Sequence, residues 1–492
     1  TIGIYKYDLI WQDWVCLDNW QLEYWGEVVS VASIELSSES IEMVQAESTY
    51  ISANVQPSTA TYRNVTLTSS DENVAIVDNT GKITAVGKGS CYIIATARDG
   101  SGIEARCKVT VSDNTATADN LVINEIMAAN VDVYLDPSQN YGSWVEIYNP
   151  SDKSVSLGGL YVTDNPKNLK KHHLLDTYGF VSAHGYAILN FDHHEVWTPY
   201  SYRQIDDKLD CDGGVIIISD GEKIIAQQEY PEAISRISWA RKQDGGKEWG
   251  YTGLPSPGYS NQENADGFAT EQLPAPAVDK DGQLYTGSLQ VCVNIPEGAT
   301  LRYTEDGSTP TLENGETSET GIFTVSYDPN DWWSTSGKCY RFRLFKKGYL
   351  PSPVVTRTYI YDEGNYKFPI ISVVTDYDNI YDSDRGVFEK GQYGRPGNGQ
   401  TDKCNWNMDW DRPVSFEFIT TDNECIVAQE CDFSMCGGWS RAWTPHAFKL
   451  KAKKQYDFKS TFQTQFFANK PFLKNKTLQI RNGGNDTSNR IK

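Results

Sequence analysis

The chain has 492 residues, too many for one hydrophobic core, because cores stop growing at roughly 250–300 residues and longer chains divide into domains. Its 65 acidic residues against 44 basic ones leave a formal net charge of −21, and a surface that acidic repels phosphate backbones, so nucleic acid is excluded as an expected partner. No apolar run approaches the roughly 20 residues that cross a bilayer as a helix, so no transmembrane segment is expected.

Thr, Ser, Val, Ile and Tyr fill the stretches between clusters of Gly, Pro, Asn and Asp, the pattern of short strands joined by turns, and a mainly β architecture follows. The first residues, TIGIYKYDLIWQDW, lack the basic start, apolar stretch and cleavage site of a signal peptide. The ten cysteines include no pair at CxxC spacing, so no metal site is expected from them. Disulfides are the expectation instead: Cys292 and Cys339 fall on two strands of one module, and Cys404, Cys425, Cys431 and Cys436 crowd one region. Such usage points modestly to an oxidising compartment.

In chain order, residues 1–30 contain one alternating strand, VCLDNWQLEYWGEV, which cannot bury its apolar face alone. It resembles the last strand of jelly-roll carbohydrate-binding modules, implying a protein that begins before Thr1; the alternative is an edge strand of the next domain. From 31 to 112, strands of period two recur with turns at PST, SSDE, NTGK, GKG and RDGSG, the pattern of a small β-sandwich. The opening SIEL, the central SSDENVAIVDNTGKITAVGKGSCYIIAT and the closing CKVTVS resemble a bacterial immunoglobulin-like domain of group two. That resemblance implies a spacer or adhesion element without chemistry of its own.

Residues 119–261 carry NEIMA, WVEIYN, LGGLYVTD and SPGYSN in order and resemble the lamin-tail domain. Glu125, Trp144 and Glu146 attract attention as a site because alternate strand residues share a face, yet a structural role is the expectation. His172, His173, His193 and His194, with Asp192 and Glu195 adjacent, offer donor types for a transition metal, but adjacent strand residues point apart and no metal is expected. After the linker NQENADGFATEQ, residues 273–361 contain RYTEDGSTPT and KKGYLPSP and resemble the fibronectin-like module at the C-terminus of chitobiase and related hexosaminidases. Trp332 and Trp333 lie in a loop of that module, where exposed aromatics can stack on sugar rings.

Residues 366–492 hold PIISVVTD, RGVFEKG, RPVSFEFI, GGWSR, FKLKAK and IRNGGND, and resemble the first part of the CotH kinase family of atypical protein kinases. Phosphoryl transfer needs backbone N–H groups and cations around phosphate oxygens and carboxylates or Asn for magnesium. On that basis Gly437, Gly438, Ser440 and Arg441 form a candidate phosphate turn, with Lys449 and Lys451 on the next strand and Arg481, Asn482, Asn485 and Asp486 as a second polar cluster. The chain departs from the family pattern: Cys436 stands where members carry His, and His446 and Ala447 replace a Lys–Ser pair. The acidic residues of the family lie beyond the last motif present, so no catalytic residue is assigned. Asp376, Asp378, Asp382 and Asp384 read as a solvated acidic loop without EF-hand spacing.

The expected fold class is therefore mainly β: tandem immunoglobulin-like and fibronectin-like β-sandwiches followed by a partial α+β kinase-like lobe. The expected function is an exported or cell-surface adhesion and binding protein of a bacterium, itself catalytically inactive, whose partner is a glycan or a cell-envelope protein. The alternative is part of a secreted kinase acting on Ser or Thr of exported proteins, with ATP and magnesium as cofactors of the full-length protein and none in this chain.

Overall fold

A computed structural model describes residues 28–45, 47–112, 117–194, 203–331 and 334–482. The strand expected within residues 1–30, most of the histidine-flanking loop after His194, the tryptophans at 332 and 333 and the pair Asn485 and Asp486 lie outside the described residues. The chain divides into two compact units, residues 1–113 and 114–492.

The first unit is a sandwich of short sheets whose inward positions follow the period-two pattern of its sequence. Strand Gly89–Ala97 pairs with Glu104–Ser112, and Cys91, Ile93 and Ala95 face inward opposite Cys107, Val109 and Val111. The four-stranded sheet runs in the order Ser40–Val44, Glu104–Ser112, Gly89–Ala97, Val65–Ser69. Met43, Ile51, Val74 and Ile83 close the core. The NTGK turn is held by Asp78 Oδ1, which accepts from Thr80 N and Lys82 N at 2.8 and 3.1 Å. Gly81 completes it at φ +85°, where a Cβ would come within 2.1 Å of the Ile51 carbonyl oxygen, so only glycine fits.

The second unit is also mainly β. Between 121 and 269 a seven-stranded sheet, with Val122–Met127 and Ser143–Tyr148 at its centre, faces a four-stranded sheet built on Tyr161–Thr163 and Gly214–Ser219. Leu121, Ile123, Val145, Ile147, Leu189 and Ile216 fill the space between. From 283 to 361 a five-stranded sheet centred on Gly337–Phe345 covers the antiparallel pair Ser288–Cys292 and Ile322–Ser326 around Val291, Leu301, Phe342 and Tyr359.

From 370 to 480 a further five-stranded sheet runs in the order Ile370–Val374, Asp411–Ile419, Cys425–Met435, Phe448–Lys451, Thr477–Ile480, every neighbour antiparallel. The α+β character expected of this segment is not found among the described residues. Its only α-helices are single turns at Asp378–Tyr381 and Lys454–Asp457, too short to form a layer.

The expected disulfides are likewise corrected: all nine described cysteines are free thiols. Strand parity explains part of this. Cys431 points into the apolar core, whereas Cys436, five residues on, stands on the opposite face beside Lys449 and Arg441. Cys292 and Cys339 sit on different sheets, and the Cys339 thiol donates to the Glu305 carbonyl.

Candidate functional site

Three of the motifs of residues 119–261, NEIMA, WVEIYN and SPGYSN, converge on one polar knot. Glu125 and Glu146 are cross-strand neighbours and fully buried. The SPGYSN turn caps both: Ser256 N donates to the two Glu125 oxygens at 3.3 and 3.2 Å, and Gly258 N to Glu146 Oε2 at 2.6 Å. Asn124 Nδ2 bridges Glu146 and Asp244, 3.0 Å from each. Burial pushes the Glu125 carboxyl up to about 7 against the pull of the Ser238 and Ser256 hydrogen bonds, and burial followed by the Glu125 charge lifts Glu146 well above the usual range. Both carboxylates are fully buried, and their hydrogen bonds tie the central strands to the terminal turn.

The four histidines scatter. His172 meets Asp207, His173 packs on Tyr161, His193 meets Asp206 and His194 meets Asp192. Among the described residues no three metal-ligating side chains converge.

The last sheet has two buried faces of opposite character, set by alternation along its strands. Val414, Phe416, Cys431, Phe433 and Leu450 point to an apolar side, joined there by Trp410 and Phe462. Asp411, Glu417, Glu430, Asp432, Ser434, Lys449 and Lys451 point to the other, and the earlier segments cover it. Lys449 and Lys451 thus share a face but enter different surroundings. Lys449 stands by the Cys436 thiol and Arg441. Lys451 opens into a cavity of about 530 Å3 between this sheet and the 119–261 sandwich.

The candidate phosphate turn is real as a turn. Gly437 adopts φ +85°, Arg441 Nε donates to its carbonyl at 2.5 Å, and Arg441 Nη1 reaches the Trp406 carbonyl at 3.4 Å. Asn482 Nδ2 donates to Ser440 O at 3.0 Å, and Ala447 N to the same oxygen at 2.9 Å. A Cβ on Gly437 would lie 2.0 Å from Ser440 Oγ. The structure brings Gly437, Gly438, Ser440, Arg441, Lys449 and Asn482 together, with Arg481 exposed at the end of the last strand. Lys451 is the member it separates. Arg441 is engaged by backbone carbonyls, so its guanidinium buttresses the turn.

The Lys451 cavity holds a chain of ion pairs that sequence reasoning did not assemble. Asp192 bonds His194 at 2.5 Å, His194 bonds Asp411 at 3.1 Å, and Lys453 bonds Asp411 at 2.8 Å and also Asp432, which accepts from Tyr456. Burial works against charge on His194, yet Asp192 and Asp411 hold it up to about 10. Burial likewise opposes ionisation of Asp411, but Lys453 and His194 keep it well below the usual carboxylate range. Asp432 goes the other way: burial raises it to about 6 despite Lys453. At the rim Lys208 donates to the amide oxygen of Gln455 at 2.8 Å, and Lys476 stands exposed. Asp411, Asp432 and Lys451 could have been placed on one face from strand parity; His194 and Lys208, over 200 residues away in sequence, could not.

The unit at the start of the chain is the one that comparison identifies. Residues 30–117 match the bacterial Ig-like domain, group 2. A protein of Clostridium acetobutylicum is 34% identical over 102 residues, 21% of this chain and 10% of that protein. An alpha-L-arabinofuranosidase of Bifidobacterium longum is 36% identical over 95 residues, 18% of this chain and 9% of the enzyme. The chain therefore spans about a tenth of the length of these two relatives. Among solved structures, domains 4 and 5 of the S-layer protein SbsC align at 18% identity over 16% of this chain and 51% of theirs, with a TM-score of 0.15, too slight a likeness to argue from.

Proposed function

We propose that this chain is the display and ligand-contacting part of an exported or cell-surface bacterial protein, with a glycan or a cell-envelope protein as its partner. The single observation that carries the reading is the bacterial Ig-like domain over residues 30–117, whose buried interior is apolar apart from two inert thiols and presents no reactive cluster. Such a unit extends or attaches, and recognition then falls to the larger second unit, whose cavities offer charged contacts. The lamin-tail-like and chitobiase-like motifs agree with that division of labour, and a sugar-directed partner agrees with the likeness to an arabinofuranosidase. A glycan array and an envelope pull-down with the whole chain test it. Binding to a defined glycan or envelope protein is expected; no capture in either experiment overturns it.

The second reading is the inactive first part of an atypical protein kinase. It is supported by the Gly437–Arg441 turn, pinned by Asn482 with Lys449 alongside, and by the CotH-like motifs around it. Under this reading the full-length protein binds ATP with magnesium and this chain alone turns over none. Calorimetry on the full-length protein decides: magnesium-dependent ATP binding supports the reading, and its absence removes it.

A further inference from the structure

Three segments of the second unit meet around a group of buried arginines. Arg236, from the 119–261 sandwich, clasps Asp132 through Nε and Nη2 at 2.7 and 2.9 Å and Glu430, from the last sheet, through Nη1 and Nη2 at 2.8 and 2.7 Å. Arg341, from the 283–361 sheet, donates to the same Glu430 at 2.8 Å and to Thr309 Oγ1, which in turn donates to Asp132 at 2.7 Å. Two guanidinium groups are thereby matched by two carboxylates. Arg343, two residues along the strand and therefore on the same face, is a third guanidinium, and among the described residues no carboxylate bonds to it.

Arg343 is 6% exposed. Its Nε donates to the Ser352 carbonyl at 3.0 Å and Nη1 only reaches Pro310 O at 3.5 Å; Nη2 donates to no described residue. Arg412, fully buried and without a carboxylate partner among the described residues, shows what a satisfied case looks like. Its Nε, Nη1 and Nη2 donate to the carbonyls of Arg385, Gln139 and Asp411 at 2.6–3.1 Å. A cation taken out of water costs several kcal/mol unless its charge and its N–H groups are met. Burial pulls Arg343 and Arg412 alike down to about 10, so what sets Arg343 apart is geometric: fewer of its N–H groups are met, and its guanidinium lies 5.4 Å over the Phe345 ring.

Arg343 lines a cavity of about 690 Å3 together with Arg341, Leu254, Leu312 and Phe345. Three carboxylates line it as well: Asp132 is paired with Arg236, Asp376 stands beside Arg385, which it shares with Asp378, and Glu313 is exposed to solvent. Leu312 is exposed at the edge, so a small molecule has a way in.

We propose that this cavity binds an oxyanion, a carboxylate or phosphate group carried on a small, partly apolar molecule, with Arg343 as its fixed counter-charge and Leu254, Leu312 and Phe345 receiving the apolar part. The site is independent of where the protein is displayed and of the Lys451 cavity.

Calorimetric titration of the whole chain at low ionic strength with inorganic phosphate and, separately, with acetate tests it. Saturable binding of at least one anion is expected; phosphate alone indicates a phosphate ligand and acetate alone a carboxylate ligand. Arg343→Met should weaken binding about tenfold or more, as expected for losing a charge-assisted bond, and Leu312→Trp, a change at an exposed edge, should block it even if Arg343→Met does not fold. Lys451→Met, in the other cavity, should leave it unchanged. No saturable binding of either anion, undiminished binding in Leu312→Trp, or loss in Lys451→Met equal to that in the cavity variants would overturn the proposal.

Discussion

The two units solve the same problem, holding short β-strands in a fixed arrangement, by opposite means. The Ig-like unit hides aliphatic side chains and two thiols between its sheets and keeps its charges outside, where Asp78 and Asp99 organise turns. The second unit has apolar interiors of its own, but it also buries ions between segments: Asp132, Arg236, Arg341 and Glu430 at one junction, Asp192, His194, Asp411, Asp432 and Lys453 at another. The first is self-sufficient. In the second, no segment can leave without stranding a charge, so what reads in sequence as a row of spacers behaves as one body.

The sharpest way to break that contrast is to remove a shared carboxylate. Glu430→Ala leaves Arg236 and Arg341 short of a partner in a buried setting and should destabilise the second unit by about 3–5 kcal/mol, while the transition of the Ig-like unit stays where it was. Urea unfolding followed by tryptophan fluorescence and circular dichroism reads both. The reciprocal change, Ile93→Ala in the aliphatic interior of the first unit, should cost about 2–5 kcal/mol and move only the first unit's transition. If either substitution shifts both transitions equally, the division into independent units is wrong.

Acid–base titration sharpens the comparison further. His194 is raised from 6.5 to about 10, so its contribution is fully present below pH 6.5 and is lost as pH rises through 10; the second unit should weaken across that alkaline window. His194→Gln should remove this slope and cost about 1.5–3 kcal/mol at pH 7, the range for hydrogen bonds to charged groups. Glu125 shows the smallest effect and a different window. Its carboxyl is raised from 4.5 to about 7, so the folded state gains from its protonation at low pH and that gain fades as pH rises from 4.5 through 7. Glu125→Gln should flatten that portion of the curve, measured as the urea midpoint from pH 4.5 to 8. The Ig-like unit should show neither slope.

Much of this was legible beforehand. The alternation in GSCYIIATA and EARCKVTVS specifies which residues enter the core, since a strand turns every second side chain to the same side whatever lies beyond it. Turn chemistry at NTGK and the Gly437 turn was likewise readable, because the steric demand for φ above zero is local. The disulfide expectation failed for a physical reason: proximity in sequence does not put thiols on one face, and Cys431 and Cys436 point to opposite ones. The α+β part of the expectation is not confirmed: a family resemblance carries a whole fold, whereas the described residues of this segment form antiparallel sheet with short helical turns, two of them α-helical.

By itself, then, the sequence determined the β architecture, the Ig-like unit and the inward faces of most strands, all consequences of short-range periodicity and backbone sterics. Only the tertiary structure decided that Glu430 joins Arg236 to Arg341, that Lys451 parts from Lys449, and that Arg343 has no counter-ion among the described residues. Those outcomes depend on which charged surfaces are pressed together far from water, and an ion's partner hundreds of residues away leaves no mark on the pattern around it.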